Sequence, residues 1–436
     1  MKILMVTPMV PHPKAASGGA LVMYGQLTAL AAQHEVTLVT FAGPDQGDRD
    51  ALRYLHVSGI EVHAIWRSPS TGIARWRRRW RLGMQWLRGK QPWRALEFWE
   101  SDMQGLLDRL TPRFDLIQVE DSAMANYRYP PWTPAVLTDH EVRVAARTGP
   151  RHIRGLGWRM RLAWTELDSR RWHRYQPAVW ARFDCIQVFT PRDAAALRTM
   201  AMALADRVTV NPFGIDLPPR NDQIEEDDDH IVFIGGFAHA PNVDAALWLC
   251  REIMPRIRAL RPTVRLTIVG SQPPHMVRAL AGRDVTVTGT IPSIDLYLRR
   301  ATVVLAPLRI GRGMRLKVLQ AMAYGKAVIT TPLGAEGLMG PCQPPVAIGR
   351  DSEELARATA ALLSAPDARR ALGRQARAFV AQHYTWQSYR QRLDELHADP
   401  QLRSFNYMTT KPWESMAPTN VRERRRFEPG RWGIRA

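Results

Sequence analysis

Along the chain, short runs of aliphatic and β-branched residues alternate with longer stretches whose apolar positions recur every three or four residues. In the first half the short runs lie at 3–6, 36–39, 62–65, 116–119, 135–137 and 185–189; a helical stretch starting near Gly19 and running over 20–33 follows the first. After a polar interval the alternation restarts, with runs at 231–234, 266–269, 285–287, 303–305 and 327–330 and helical stretches at 243–260 and 314–324. Strand-length apolar runs separated by helix-length amphipathic ones build parallel sheets covered by helices. The pattern predicts an α/β chain of two Rossmann-like halves. No short-period repeat is visible, which argues against a solenoid.

The polar interval sets the boundaries. Gln223-Ile224-Glu225-Glu226-Asp227-Asp228-Asp229 is acidic and has the character of a solvated join. It divides the chain into a first domain over 1–205, a hinge and acidic linker over 206–229, a second domain over 230–385, a C-terminal helix over 386–400 and a basic tail, expected to be flexible, over 401–436. A chain of 436 residues is too long for one ordinary core and accommodates two.

Charge narrows the partners. Sixty Lys and Arg against 41 Asp and Glu give a net charge of +19. This favours nucleic acid, acidic lipid headgroups or phosphorylated small molecules without choosing among them. Cys185, Cys250 and Cys342 are too scattered for a disulfide framework or a zinc site and point to a reducing compartment. The apolar opening is broken by Pro8, Pro11 and Pro13 before it reaches the length of a signal-peptide core. Nowhere do about 18 apolar residues run together. The expectation is a cytoplasmic protein, with peripheral attachment to the inner face of the membrane left open.

The stretch from Ala306 to Gly325 carries the most chemistry. A strand ends, a loop with Gly311, Arg312 and Gly313 follows, and a helix begins near Arg315 and Lys317. Glycines let backbone approach a ligand, a helix N-terminus attracts anions, and cations add charge-assisted bonds to phosphate oxygens. The plain alternative is a strand-to-helix turn with a solvated basic face, and from local composition the two stand about even. Positions two apart on a helix face opposite sides, so Arg315 and Lys317 grip one diphosphate only if the helix begins after Arg315.

This stretch, continued through Gly325-Lys326-Ala327-Val328-Ile329-Thr330-Thr331-Pro332-Leu333-Gly334-Ala335-Glu336-Gly337-Leu338, resembles the donor-site signature of group 1 retaining glycosyltransferases of the GT-B fold. It is most similar to the bacterial subset with Gly-x-x-x-Arg-Leu-Lys before the helix. Gly235-Gly236 with Pro241-Asn242-Val243-Asp244, the Pro212-Phe213-Gly214-Ile215-Asp216 hinge motif, and Gly18-Gly19 before the first helix agree in order and spacing over about residues 1 to 395.

The resemblance implies GT-B architecture: two Rossmann-like domains with parallel sheets facing each other across a cleft. The acceptor site would lie in the first domain and the nucleotide-sugar donor site in the second. It implies transfer with retention from a nucleotide-diphosphate sugar, through a front-face mechanism without a covalent enzyme nucleophile, to a polyprenyl-linked or envelope glycan precursor. Donor contacts fall to Gly18, Gly19, Gly235, Gly236, Gly311, Arg312, Gly313, Arg315, Lys317, Gln320, Gly334 and Glu336, with Arg315 and Lys317 on the diphosphate. No cofactor is called for beyond the donor substrate, and no metal. Two positions depart from the family's usual pair of glutamates, where this chain has Arg312 and Gln320; Gln320 retains a hydrogen bond to ribose without its charge. The cationic pair usual after the second domain's first strand is replaced by Phe237, Ala238 and His239.

His140 and Glu141 follow a first-domain strand and are candidates for contact with the sugar or acceptor and for receipt of the acceptor's proton. A capping carboxylate beside a surface histidine explains them equally well. Residues 66–94 and 151–174 place tryptophans among arginines, which suits an anionic membrane surface; an ordinary helix with its indoles packed inward is the alternative. Rival functions remain: a catalytically silent GT-B scaffold, a nucleotide-sugar epimerase on the same fold, or a basic nucleic-acid-binding protein. For the last no reader motif is present, so no nucleic acid is expected as partner.

Overall fold

Every apolar run named above forms a strand. The computed structural model describes residues 1–13, 15, 17–67, 72–143, 156–219, 225–311, 313–338 and 343–398. Arg312, Cys342, Gln223 and Ile224 of the acidic run, residues 151–155 of the second tryptophan–arginine stretch and the tail over 401–436 lie outside the described residues.

In the first half, β1 (Lys2–Thr7), β2 (Glu35–Ala42), β3 (Glu61–Trp66), β4 (Leu116–Glu120), β5 (Ala135–Asp139), β6 (Cys185–Val188) and β7 (Val208–Val210) make one sheet. Its order is β3-β2-β1-β4-β5-β6-β7, and every pairing is parallel. In the second half, β8 (His230–Ile234), β9 (Arg265–Val269), β10 (Val285–Val287), β11 (Val303–Ala306), β12 (Ala327–Thr330) and β13 (Ala347–Ile348) make another, in the order β10-β9-β8-β11-β12-β13, also parallel. Alternate residues of one strand feed different cores: Leu4 and Val6 pack with Phe41, Val119 and Trp180, while Ile3 and Met5 pack with Met23, Leu38 and Val136. Both faces are therefore covered, which is why β4 and β5 are buried at every position.

In each sheet the chain order reverses beside the first strand, between β1 and β4 and between β8 and β11. Such a switch point opens a crevice at the carboxyl ends of the strands. Here the two crevices meet, because Gly18 of the first half abuts Leu316 of the second.

Two boundary expectations change. Val208–Val210, placed in the hinge by sequence, is the edge strand β7, too short to stand out as a run. The acidic run is not simply solvated: Asp229 pairs with Arg261 at 2.6 Å, and Glu226 bridges Lys326 at 2.7 Å and Arg369 at 3.2 Å. The C-terminal helix Trp386–Ala398 returns to the first half. Its Trp386 wedges between Gly25 and Gly214, where any Cβ would collide with it, and Arg392 donates to Asn211 Oδ1 at 2.8 Å.

Candidate active site

The second half supplies cations. β11 ends at Ala306, and the following loop turns at Gly311 (φ 126°) and Gly313 (φ 72°), a conformation that costs a side-chain-bearing residue about 1 kcal/mol or more. The next helix is Leu316–Ala323, so Arg315 is its N-cap and stands outside the helical spiral. That removes the stereochemical conflict between Arg315 and Lys317. Arg315 is only 7 % exposed and its guanidinium packs beneath Gly311. Burial lowers its pKa, against the opposing charge of Glu336.

Lys317, half-buried, donates to Asn242 Oδ1 and lies 5.2 Å from the centre of the Phe233 ring. Burial first, then the charge of Arg315, pushes its ammonium down to about 7. Gly235 is required here: a Cβ would stand 2.8 Å from Asn242 Cγ. Asn242 in turn donates to Gly236 O at 2.6 Å. The glycine pair thus holds the amide that holds Lys317. A buried and a half-buried cation beside a helix N-terminus form a site charged for a diphosphate.

The first half supplies carboxylates. β4 ends in Glu120 before Asp121, and β5 in Asp139 before His140 and Glu141. His140 Nε2 meets the fully buried Glu120 at 2.7 Å. Burial acts to discharge the imidazole, but the hydrogen bond and charge of Glu120, with Asp121 and Asp139, outweigh it and raise the His140 pKa. Asp139 accepts from Ser122 (2.6 Å), Trp180 (2.8 Å) and Gln176 (2.9 Å), and burial raises it to about 6 despite those bonds. Asp121 adopts φ 76° and pairs with Arg94 at 2.8 Å; strain of this kind in a non-glycine residue gathers at functional clefts.

The two sides touch around the cations. A Cβ on Gly313 would lie 3.2 Å from His140 O, and one on Gly18 would lie 3.3 Å from Leu316 Cδ2. Arg192, in the first turn of the helix Pro191–Met200, reaches Glu336 at 2.5 Å, and a Cβ on Gly337 would press on Thr190 at 2.7 Å. Glu336 is therefore on the cleft, with its carboxylate held by a first-half arginine. Glu141, half-buried, pairs with Arg143 at 3.7 Å and contributes to the field felt by Arg315 and His239.

The remaining candidates divide. Gln320 lies one turn into the helix, three residues after Lys317 and on the same side. Gly19 has open space around a would-be Cβ apart from Ser17 Oγ at 3.7 Å. Gly334 has a packing role: a Cβ there would collide with Thr330 Oγ1. Sequence reasoning missed Arg192, Asn242 as the partner of Lys317, and the carboxylates Glu120 and Asp139. The signal for those carboxylates was present, since charged residues end two largely apolar strands at the carboxyl edge of the sheet.

Residues 228–365 match the family described as Glycosyl transferases group 1. The match lies wholly within the second half of the chain. No curated protein matches the chain by sequence. Among solved structures, Anabaena HepE in complex with UDP-glucose superposes with a TM-score of 0.61 at 14% identity, covering 91% of this chain and 99% of that one. TarM gives 0.64 at 9% identity with the same coverages, and the N-terminal domain of Candida albicans trehalose-6-phosphate phosphatase gives 0.63 at 13%, covering 91% and 96%. The fold is GT-B: two parallel α/β sheets whose crevices face one another.

Proposed function

We propose that this chain is a group 1 glycosyl transferase that moves a sugar, with retention, from a nucleoside-diphosphate donor to a saccharide or polyprenyl-linked acceptor used in envelope glycan assembly at the cytoplasmic face of a membrane. The observation that carries the reading is the pair formed by buried Arg315 and half-buried Lys317 at the tip of the helix Leu316–Ala323, with Arg315 in the field of Glu336, Arg192 and Glu141. Anabaena HepE in complex with UDP-glucose, which shares the fold, supports the choice of donor class.

In the reaction the bond between the sugar's anomeric carbon and the β-phosphate oxygen breaks, and the acceptor oxygen bonds to that carbon on the same face. The diphosphate leaves with the electron pair, and stabilising its growing charge dominates the barrier. Arg315 and Lys317 receive that charge. A lysine poised near neutrality takes up a proton as the diphosphate settles beside it, so it arrives charged when needed. His140, whose pKa Glu120 raises, is better suited to donating to the sugar or acceptor than to accepting a proton; Glu141 is the candidate base for the acceptor hydroxyl.

A thermal-shift screen against UDP-, GDP- and ADP-sugars tests the reading. One donor should raise the melting temperature, and Arg315→Gln should reduce that rise. No shift with any of them, together with no donor turnover, would overturn it.

A further inference from the structure

The helix Gly72–Arg88, which follows β3, bears no acidic residue, and from Trp66 to Ala95 the chain has nine cations and no carboxylate. The structure resolves the irregular look of its sequence into three faces. Leu82 and Trp86 are buried; Trp86 Nε1 donates to Asp168 at 2.8 Å and its ring lies 4.1 Å from the Arg171 guanidinium. Arg78 reaches Glu100 at 3.3 Å and Glu97 O at 3.3 Å. This face is pinned to the domain.

On the far side, Ile73 is 72 % exposed, Trp76 67 %, Trp80 59 % and Leu87 64 %. At 3.6 residues per turn these four positions, with Met84, fall within an arc of about 80°. Exposed Arg77, Arg81 and Arg88 border the stripe on one flank and Arg79 on the other, and none of the four has an acidic partner among the described residues.

We propose that this outer face is a membrane-docking surface that lies in the headgroup layer of an anionic bilayer. Indoles insert where headgroups meet acyl chains, while flanking arginines reach lipid phosphates; the combination with a wholly cationic rim fits such a surface. Other occupants match the charge poorly. The chain's own tail over 401–436 carries eight cations against three carboxylates, and a second copy of the helix presents the same sign. The pinned inner face keeps the stripe from turning inward. Docking through the first half sets a lipid-linked acceptor beside the cleft, which deepens the proposed function. The vesicle assay below contains no nucleotide sugar, so its failure would leave the donor-site reading standing.

The test is sedimentation of the full chain with vesicles of phosphatidylcholine alone and of equimolar phosphatidylcholine and phosphatidylglycerol, at low and high salt. The wild-type chain should pellet with the anionic vesicles only, and salt should weaken it. Trp76→Ser with Trp80→Ser should lower partitioning at least tenfold, roughly. Arg77→Gln with Arg81→Gln should lower it roughly twentyfold at low salt. These positions are exposed, so both variants should keep the wild-type melting temperature and donor-induced shift. Three results would each overturn the proposal: no pelleting of the wild-type chain with either vesicle, tryptophan variants that pellet as wild type does, or tight binding to duplex DNA while the vesicles stay unbound.

Discussion

The two halves share a sheet order and differ in what they set at the same place. At the switch point of the first, β4 and β5 end in Glu120 and Asp139, with Asp121 next in the chain after Glu120, around His140. At the switch point of the second, β11 leads through a glycine turn to Arg315 and Lys317. One topology thus presents carboxylates on one side of a cleft and cations on the other. The fold supplies the crevice, and the residues after the strands decide what it attracts. Their outer surfaces differ as well: among the described residues the exposed tryptophans, Trp66, Trp76, Trp80, Trp132 and Trp164, all belong to the first half.

Changes to the cationic side should have the largest effect. Lys317→Met should reduce turnover of the donor by about 100- to 1000-fold, measured as initial rates at saturating donor. The melting temperature at neutral pH should hold or rise. The Lys317 pKa is depressed on folding, so its burial costs stability while the ammonium is charged in the unfolded chain; the penalty fades as pH rises toward the ordinary lysine value. A large fall in melting temperature with unchanged turnover would make Lys317 a purely structural residue and dissolve the contrast between the halves.

Restoring a carboxylate within the cationic side should act in the opposite direction. Gln320→Glu should tighten donor binding by up to about tenfold if the side chain meets ribose, since a charged acceptor bonds more strongly than an amide. Calorimetric titration of wild type and variant with the same nucleotide sugar measures it, and weaker binding would place Gln320 off the ribose.

The contact that joins the halves should be worth less. Arg192 and Glu336 are partly exposed, and such pairs contribute up to about 1 kcal/mol. Arg192→Gln and Glu336→Gln should each lower kcat/KM by about fivefold. The double variant should do no worse than either, which a double-mutant cycle in kcat/KM reads directly. Full additivity would mean that the two side chains act separately.

The smallest effect belongs to the carboxylate side. Glu120→Gln should lower the His140 pKa, followed by histidine NMR, and move the alkaline limb of the rate profile to lower pH. In the wild-type chain the raised His140 pKa adds stability below the ordinary histidine value, lost as pH rises through the raised one. An unmoved His140 titration would remove Glu120 as its controlling partner.

How much of this was legible in the sequence follows from what sequence encodes locally. The strands buried on both faces stood out as apolar runs, whereas Val208–Val210 and Ala347–Ile348 at sheet edges were too short to do so. Arg315 and Lys317 were legible because a glycine turn, cations and a helix start are consecutive. Their setting was not: Asn242 stands 75 residues from Lys317, and Arg192 stands 144 from Glu336. Trp76, Trp80 and Trp86 look alike in sequence, yet only Trp86 finds Asp168 and Arg171 to pack against. Partners contributed from distant chain decide such cases, and no local pattern carries them.

The most direct test is calorimetry of inorganic pyrophosphate binding at about pH 8 in two buffers of different ionisation heat, which isolates the phosphate site from base and sugar. With Lys317 titrating at about 7 in the free protein, binding should take up close to one proton, and affinity should fall by up to about tenfold per pH unit above neutrality. Lys317→Met should abolish the proton uptake and most of the affinity. Equal affinity in wild type and variant, with no proton taken up by either, would contradict the assignment of the leaving diphosphate to this helix tip.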